Sequence, residues 1–352
     1  MGGLARRDKA GLAPEKKREA GMHVNNDPKL KVVHTDAPPD APLEAERREL
    51  ARVGAVLVSS QCHTEDDVID LAHDADAILN AAALITRRVI GTLERCRLIV
   101  RYGIGVDTID IPAATERGIM VANVPDFCLE EVSNHALMLL LACAKRLVRL
   151  DGAVRAGAWG RRREILQGAD AIAGQTLGLV AFGKIPRALV PKARALHMEI
   201  LSHDPYVQAG TFQSYGVTPV GFEELLERSD YVSVHTPLNT DTRGLFDAAA
   251  FRRMKSSAYF INTSRGPVVV ESALIQALQE GWIAGAGLDV FEAEPLPPDS
   301  PLTALDNVVL TPHSASYSEA AFAELYRRVG AEAARVLSGE PPENLVNPAV
   351  KR

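Results

Sequence analysis

The feature that most constrains this chain is a series of short apolar runs in its second half, spaced by longer Ala/Leu/Arg/Glu segments. The runs read Leu177-Gly178-Leu179-Val180-Ala181, Glu199-Ile200-Leu201-Ser202, Tyr231-Val232-Ser233-Val234, Tyr259-Phe260-Ile261-Asn262, Ala286-Gly287-Leu288 and Val308-Val309-Leu310. Continuous apolar runs of this length are strands buried on both faces, and the segments between them are long enough to cross back as helices. Right-handed crossovers of that kind give a parallel sheet covered by helices on both sides. The same rhythm occurs earlier, at Leu30 to Asp36, Ala55 to Val58, Ala77 to Asn80 and Leu98 to Arg101. The expectation is therefore α/β, with two doubly wound parallel-sheet domains. A chain of 352 residues, 47% of them hydrophobic, has the apolar content for two cores. One long helix is expected from Cys128 to Arg149, acidic at its start (Glu130, Glu131) and basic at its end (Lys145, Arg146, Arg149), in keeping with the helix dipole. Another is expected from Ser318 to Leu337, with no sequence signal for where it docks.

Several classes of function are excluded. A formal net charge of -6 offers nothing to nucleic acid or an anionic membrane. The longest apolar stretch, Ala136 to Ala144, is far short of the roughly 20 residues that span a bilayer. Cys62, Cys96, Cys128 and Cys143 lack metal-like or paired spacing, so they are expected as free thiols in a reducing cytoplasm, and no metal site is expected. Residues 1–27 scatter Arg6, Arg7, Lys9 and Lys16-Lys17-Arg18 among Ala and Gly without periodicity, and are read as a disordered extension. Met22 is an alternative start. No secretory h-region is present, and Asp8, Glu15 and Glu19 speak against a mitochondrial leader.

In open α/β sheets, ligands gather beyond the carboxyl ends of the strands. Each of the six later strands delivers a suitable residue there. The ends carry Gly183-Lys184-Ile185, His203-Asp204, His235-Thr236, Thr263-Ser264-Arg265, Asp289 and Thr311-Pro312-His313. Six strands is also the count of a dinucleotide-binding sheet. Its glycine turn, G-x-G-x-x-G, here reads Ala181, Gly183, Pro186, so only the glycine that lets the backbone approach a pyrophosphate remains. Pro186 cannot donate a hydrogen bond, and Ala181 would crowd a turn that needs a positive φ, which lowers the expected cofactor affinity. Asp204 lies about 20 residues on, the spacing at which a carboxylate grips the adenosine ribose and repels a 2′-phosphate, so NAD is expected over NADP.

Three residues suit hydride chemistry on a small 2-oxo acid. Arg265 can hold a carboxylate through two parallel bonds and polarise the adjacent carbonyl. His313 can protonate the forming alkoxide, and Glu294 can hold the imidazole in its protonated form.

These segments resemble the D-isomer-specific 2-hydroxyacid dehydrogenase family over nearly the whole folded chain. The matching blocks include Arg101-Tyr102-Gly103-Ile104-Gly105-Val106-Asp107, Asn123-Val124-Pro125, Val234-His235-Thr236-Pro237-Leu238, Ile261 to Gly266, Leu288-Asp289-Val290-Phe291 and Leu310-Thr311-Pro312-His313. The stretch His313 to Glu319 looks most like the branch of the C-terminal-binding-protein co-repressors and phosphoglycerate-dehydrogenase-like bacterial proteins, although Ser316 stands where those co-repressors carry tryptophan. The resemblance implies a discontinuous substrate domain (residues 28–125 and 313–352) with a Rossmann NAD-binding domain (residues 126–312) inserted in it. It implies Arg265, Glu294 and His313 as the catalytic trio, the Ile104 and Gly105 amides as binders of the substrate carboxylate, and Asp289 as a contact to the nicotinamide amide. It also implies a homodimer, with the helix from Cys128 and the loop Ala156 to Trp159 taking part. The broken glycine turn leaves a second reading open, an NAD(H)-sensing scaffold on the same fold. The small, uncharged Ala81-Ala82-Ala83-Leu84 points away from a phosphorylated substrate.

Overall fold

A computed structural model describes residues 29–351; the expected extension over 1–27 and the alternative start at Met22 lie outside the described residues. Twelve strands form two parallel sheets among the described residues. The first contains β1 (Lys31–His34), β2 (Val56–Ser59), β3 (Ala77–Asn80), β4 (Leu98–Arg101) and β5 (Met120–Ala122), in the order β2-β1-β3-β4-β5. The second contains β6 (Thr176–Val180), β7 (Glu199–His203), β8 (Thr218–Pro219), β9 (Tyr231–Val234), β10 (Tyr259–Asn262), β11 (Gly285–Leu288) and β12 (Val308–Leu310), in the order β12-β11-β10-β9-β6-β7-β8. Strand order reverses between β1 and β3 and again between β6 and β9, and such switch points open a crevice at the strands' carboxyl ends.

The second sheet thus has seven strands where the pattern predicts six. The added strand, β8, is a two-residue exposed edge containing Pro219, too short to show a period. In the first sheet, β5, three residues long, is likewise not predicted.

The single helix expected from Cys128 to Arg149 is instead two, Leu129–Ala144 and Leu147–Arg155. The break lies at Arg146, whose φ of 51° is left-handed and whose guanidinium is tied to the Ile165 carbonyl. Dipole matching at the sequence level cannot register a long-range tether of this kind. The first helix buries Leu139, Leu140 and Cys143 against Leu177, Leu179 and Ile261. Gly287 permits that approach, since a Cβ there would lie 2.9 Å from the Leu139 Cβ. The second helix buries no residue.

The C-terminal helix Glu319–Leu337, capped by the Ser318 hydroxyl on the Ala321 amide, docks on the first sheet. Leu325, Val329, Ala333 and Val336 join Val32, Leu50, Leu79 and Val100 in one core, each buried Leu or Val contributing about 1.5–3 kcal/mol. A Cβ at Gly330 would lie 2.7 Å from Glu46 Cα, so this helix sits directly on the helix Glu44–Ala51. Asn347 fastens the tail: its Oδ1 accepts the Val121 amide at 2.8 Å and its Nδ2 donates to the Ile119 carbonyl at 2.9 Å.

Candidate active site

The carboxyl ends of both sheets open on one cleft of about 1210 Å³. Ile104, Gly105, Gly183, Lys184, Ile185, Thr236, Thr263, Ser264, Arg265, Asp289 and His313 all line it. Glu294 stands behind His313, and Asp204 lies beneath the glycine turn.

Arg265 follows β10 in a loop that Asn262 shapes. The Asn262 Oδ1 accepts the Ser264 amide and hydroxyl, each at 3.0 Å, and its Nδ2 donates to the Arg265 carbonyl at 3.1 Å. Gly266 is obligatory, because a Cβ there would meet the Phe291 carbonyl oxygen at 1.8 Å. The guanidinium donates from Nε to Asp107 Oδ1 at 3.0 Å and from Nη1 to the Ser264 carbonyl at 2.8 Å. Burial opposes ionisation of Asp107, but the Arg265 charge and hydrogen bond outweigh it and hold the carboxyl below its usual range. Asp107 has no assigned role in the sequence reading, although it closes one of the quoted blocks.

His313 follows β12 with a left-handed φ of 49°, a conformation that a non-glycine residue holds only when the surroundings impose it. Asp289 imposes it here. Its carbonyl accepts the His313 amide at 2.8 Å, and its buried carboxylate accepts the Ser314 and Ala315 amides, each at 2.9 Å, and the Thr311 hydroxyl at 2.6 Å. Burial pushes the Asp289 carboxyl toward neutrality, and hydrogen bonds from His135, Thr311, Ser314 and Ala315 reverse that and keep it below the usual range. His135 has no sequence signal beyond being a lone histidine inside an apolar helix. The His313 Nδ1 meets Glu294 Oε2 at 2.6 Å, and Glu294 Oε1 accepts the Phe291 amide at 3.0 Å. Burial again opposes ionisation of Glu294, and its bonds to His313 and Phe291 prevail, holding it low.

At the other end of the cleft, Ala181 has a φ of 76°, the positive value at which alanine is strained. The Phe182 and Tyr206 amides donate to Asp204 at 2.8 and 2.9 Å, so this carboxylate also ties the glycine turn to β7. Gly183 caps the helix Lys184–Ala195, and nothing lies within 4 Å of a Cβ placed on it. Lys184 turns toward Asp126, at 3.6 Å. The Thr263 hydroxyl is buried without a hydrogen-bond partner. An open glycine cradle at a helix N-terminus, beside an orphaned hydroxyl and an anchored carboxylate, fits a dinucleotide.

Comparison with known proteins agrees with this geometry. Residues 137–315 match the family described as D-isomer specific 2-hydroxyacid dehydrogenase, NAD binding domain. The chain is 41% identical over 286 residues to a glyoxylate reductase of Korarchaeum cryptofilum, covering 80% of this chain and 86% of that protein. It is 38% identical over 300 residues to a D-3-phosphoglycerate dehydrogenase of Methanocaldococcus jannaschii, covering 85% of this chain but only 56% of that longer protein. Its structure resembles that of a glyoxylate reductase from Paecilomyes thermophila, with a TM-score of 0.82 at 26% identity, over 92% of this chain and 100% of that one. The chain therefore belongs to the D-isomer specific 2-hydroxyacid dehydrogenase family, carries its NAD(P)-binding domain, and is an oxidoreductase.

Proposed function

We propose that this enzyme interconverts a small 2-oxo acid and its D-2-hydroxy acid, with Arg265, His313 and Glu294 as the catalytic trio and NADH preferred over NADPH. The observation that carries this reading is the His313–Glu294 pair, 2.6 Å apart, opening on the same cleft as Arg265. A bound nicotinamide supplies or accepts the hydride; everything else falls to the chain's own side chains. The Arg265 guanidinium has its Nε and Nη1 hydrogens committed to Asp107 and Ser264, which aims the rest of the fork. That fork, with the Ile104 and Gly105 amides, holds the substrate carboxylate and polarises the neighbouring carbonyl. His313, fixed through Nδ1 by Glu294, presents Nε2 to the carbonyl oxygen and gives it a proton as the alcohol forms; in the reverse direction the neutral ring takes that proton. Glu294 holds the ring's tautomer and offsets its charge, so it acts as a positioning residue.

On the cofactor side, Gly183, Lys184 and Ile185 would hold the pyrophosphate, with Thr236, Thr263 and Ser264 beside it, and Asp204 would hold the adenosine ribose. A fixed carboxylate at Asp204 disfavours a 2′-phosphate. Asp289 lies toward the nicotinamide amide, and its main contribution is to hold the His313 loop. We assign residues 28–125 and 313–352 to the substrate domain and 126–312 to the cofactor domain, in line with the tail's packing on the first sheet.

A homodimer is proposed on the helix Leu147–Arg155, which exposes Leu147, Val148 and Val154; Met138 and Trp159, on the flanking elements, are exposed too. Exposed apolar side chains concentrated in one part of the chain support a subunit interface there. No helix among the described residues is long and apolar enough to cross a membrane. Burial pushes the Cys96, Cys128 and Cys143 thiols up to about 12, which keeps them unreactive.

The test is NADH-dependent reduction of glyoxylate. His313→Ala should lower kcat by about 10²–10⁴-fold. Glu294→Gln should leave some activity but alter its pH profile. Activity persisting in His313→Ala, or tighter binding of NADPH than NADH, would sink the corresponding part of this assignment.

A further inference from the structure

The chain leaves the first sheet at β5 and enters the helix Leu129–Ala144, which packs on the second, so residues 123–128 link the two halves of the molecule. Asp126 lies in this link, between Pro125 and Phe127 of the cleft wall, and its carboxylate is shared by two cations. Its Oδ1 accepts Arg328 Nη1 at 2.6 Å, from the C-terminal helix on the first sheet. Its Oδ2 faces Lys184 Nζ at 3.6 Å, from the first residue of the helix that follows the glycine turn. The two pairs are unequal. The Arg328 side chain is 22% exposed and makes a short charge-assisted bond, the main cause holding the Asp126 carboxyl below its usual range. The Lys184 side chain is 56% exposed and its pair is longer than a hydrogen bond, so it is weak. Beside them, Phe127 of the link, Ile104, Ile185 of the glycine turn and Ala315 of the His313 loop pack into one apolar cluster. In a close-packed cluster, a shift of one member is transmitted to the others.

We propose that Asp126 is a positioning residue that couples cofactor binding to the substrate end of the cleft, by yielding Lys184 to the arriving pyrophosphate while keeping Arg328. The proposal rests on the reading of Lys184 as a pyrophosphate contact. Without cofactor, Asp126 holds the Lys184 ammonium, and its own negative charge opposes the approach of a second anion. A pyrophosphate brings two negative charges to the positive end of the helix Lys184–Ala195, so it takes the ammonium from a single carboxylate. Lysine suits this exchange, because a point charge on a flexible stem turns from one anion to another without losing a planar match. Arginine suits the bond that stays. Asp126, left to Arg328 alone, then holds the link more firmly to the first sheet, with Phe127 packed beside the loop whose Ile104 and Gly105 amides are assigned to the substrate carboxylate. Coupling of this kind is reciprocal, so substrate bound there favours the cofactor by the same factor.

The test measures the Kd for NADH by fluorescence titration, and the KM for glyoxylate at saturating NADH. Its variants are Asp126→Asn, Asp126→Glu, Arg328→Gln, Lys184→Met, and Lys184→Met combined with Asp126→Asn. Asp126→Asn should bind NADH about two- to fivefold more tightly, the worth of one exposed ion pair, and should raise KM about three- to tenfold. The tightening should shrink at high salt, where exposed charges are screened. Arg328→Gln should raise KM alike and leave the NADH Kd unchanged, a split that a merely structural role would not give. Asp126→Glu should return both values toward wild type, which guards against a variant that fails to fold. Lys184→Met should weaken NADH binding, and Asp126→Asn added to it should bring no tightening. Unchanged or weaker NADH binding in Asp126→Asn, equal tightening with and without Lys184, or a KM unmoved by both Asp126→Asn and Arg328→Gln would overturn the coupling while leaving the cofactor site as assigned. An NADH Kd unmoved by Lys184→Met would instead overturn the assignment of Lys184 to the pyrophosphate, and the coupling with it. Failure of wild type to bind NADH or reduce glyoxylate would sink the proposed function and the coupling together.

Discussion

Gly105→Ala offers a sharp test of the site, because it adds one methyl group where Arg265 already lies. A Cβ at Gly105 would stand 1.8 Å from Arg265 Nη2, 2.8 Å from its Cζ and 2.7 Å from Asp107 Oδ1. Non-bonded heavy atoms settle about 3.5 Å apart, so the guanidinium must retreat by roughly 1.5 Å. The Nε–Asp107 hydrogen bond is 3.0 Å long and has no slack for such a shift. Misplacement by about 1 Å costs on the order of 10²-fold in rate, and loss of one donor to a developing oxyanion about 2.7–4 kcal/mol. The kcat/KM for glyoxylate should therefore fall by about 10²–10³-fold. The backbone should be spared, since Gly105 does not have a positive φ and alanine retains the amide proposed to bind substrate. Melting should shift by less than about 4 °C, and NADH titration should be unaltered. Steady-state kinetics, scanning fluorimetry and cofactor fluorescence together make the assay. Activity within threefold of wild type would refute the reasoning, because it would mean that Arg265 does not work from the position described. A large loss of melting temperature would refute the claim that the defect is local.

Two further outcomes follow from the same structure. Ala181→Gly should relieve the strain of a φ of 76°, about 1–2 kcal/mol, partly offset by about 0.4–1 kcal/mol of added chain entropy; a small rise in melting temperature and tighter NADH binding are expected, and a fall in both would count against a strained turn. Burial, against the pull of Asp36, lowers His34 from 6.5 to about 4, and its Nδ1 accepts the Asp36 amide, which requires the neutral ring. Because the folded value is depressed, the neutral ring's contribution is complete above pH 6.5 and is lost as pH falls toward 4. It amounts to about 3 kcal/mol. Urea unfolding of His34→Asn, which keeps an acceptor, should lose correspondingly less stability between pH 7 and 4 than wild type, and parallel losses would contradict the linkage.

Local pattern was enough to read most of the strands. Apolar runs separated by helical spacers made ten of the twelve strands legible; β8 has only two residues, and the three residues of β5 were not separated from the loops around them. Polar residues at strand ends were legible for a topological reason: a parallel sheet delivers all of its carboxyl ends to one edge, so Arg265, Asp289 and His313 had to converge if the sheet formed. Tertiary structure alone decided which partners those residues meet. The tether from Arg146 to Ile165 splits a helix that its own sequence would continue, and thereby exposes Leu147 and Val148. Asp107 meets Arg265 across 158 residues of chain, and Gly105 shares the same space. His135 reaches Asp289 from another element, and Arg101 forms no ion pair among the described residues because Asp36 and Asp107 are engaged elsewhere. Periodicity records which face of an element is apolar. Which side chains face one another across two elements depends on how closely the backbones approach, and positions such as Gly287 and Gly330 set that distance only once the fold has closed.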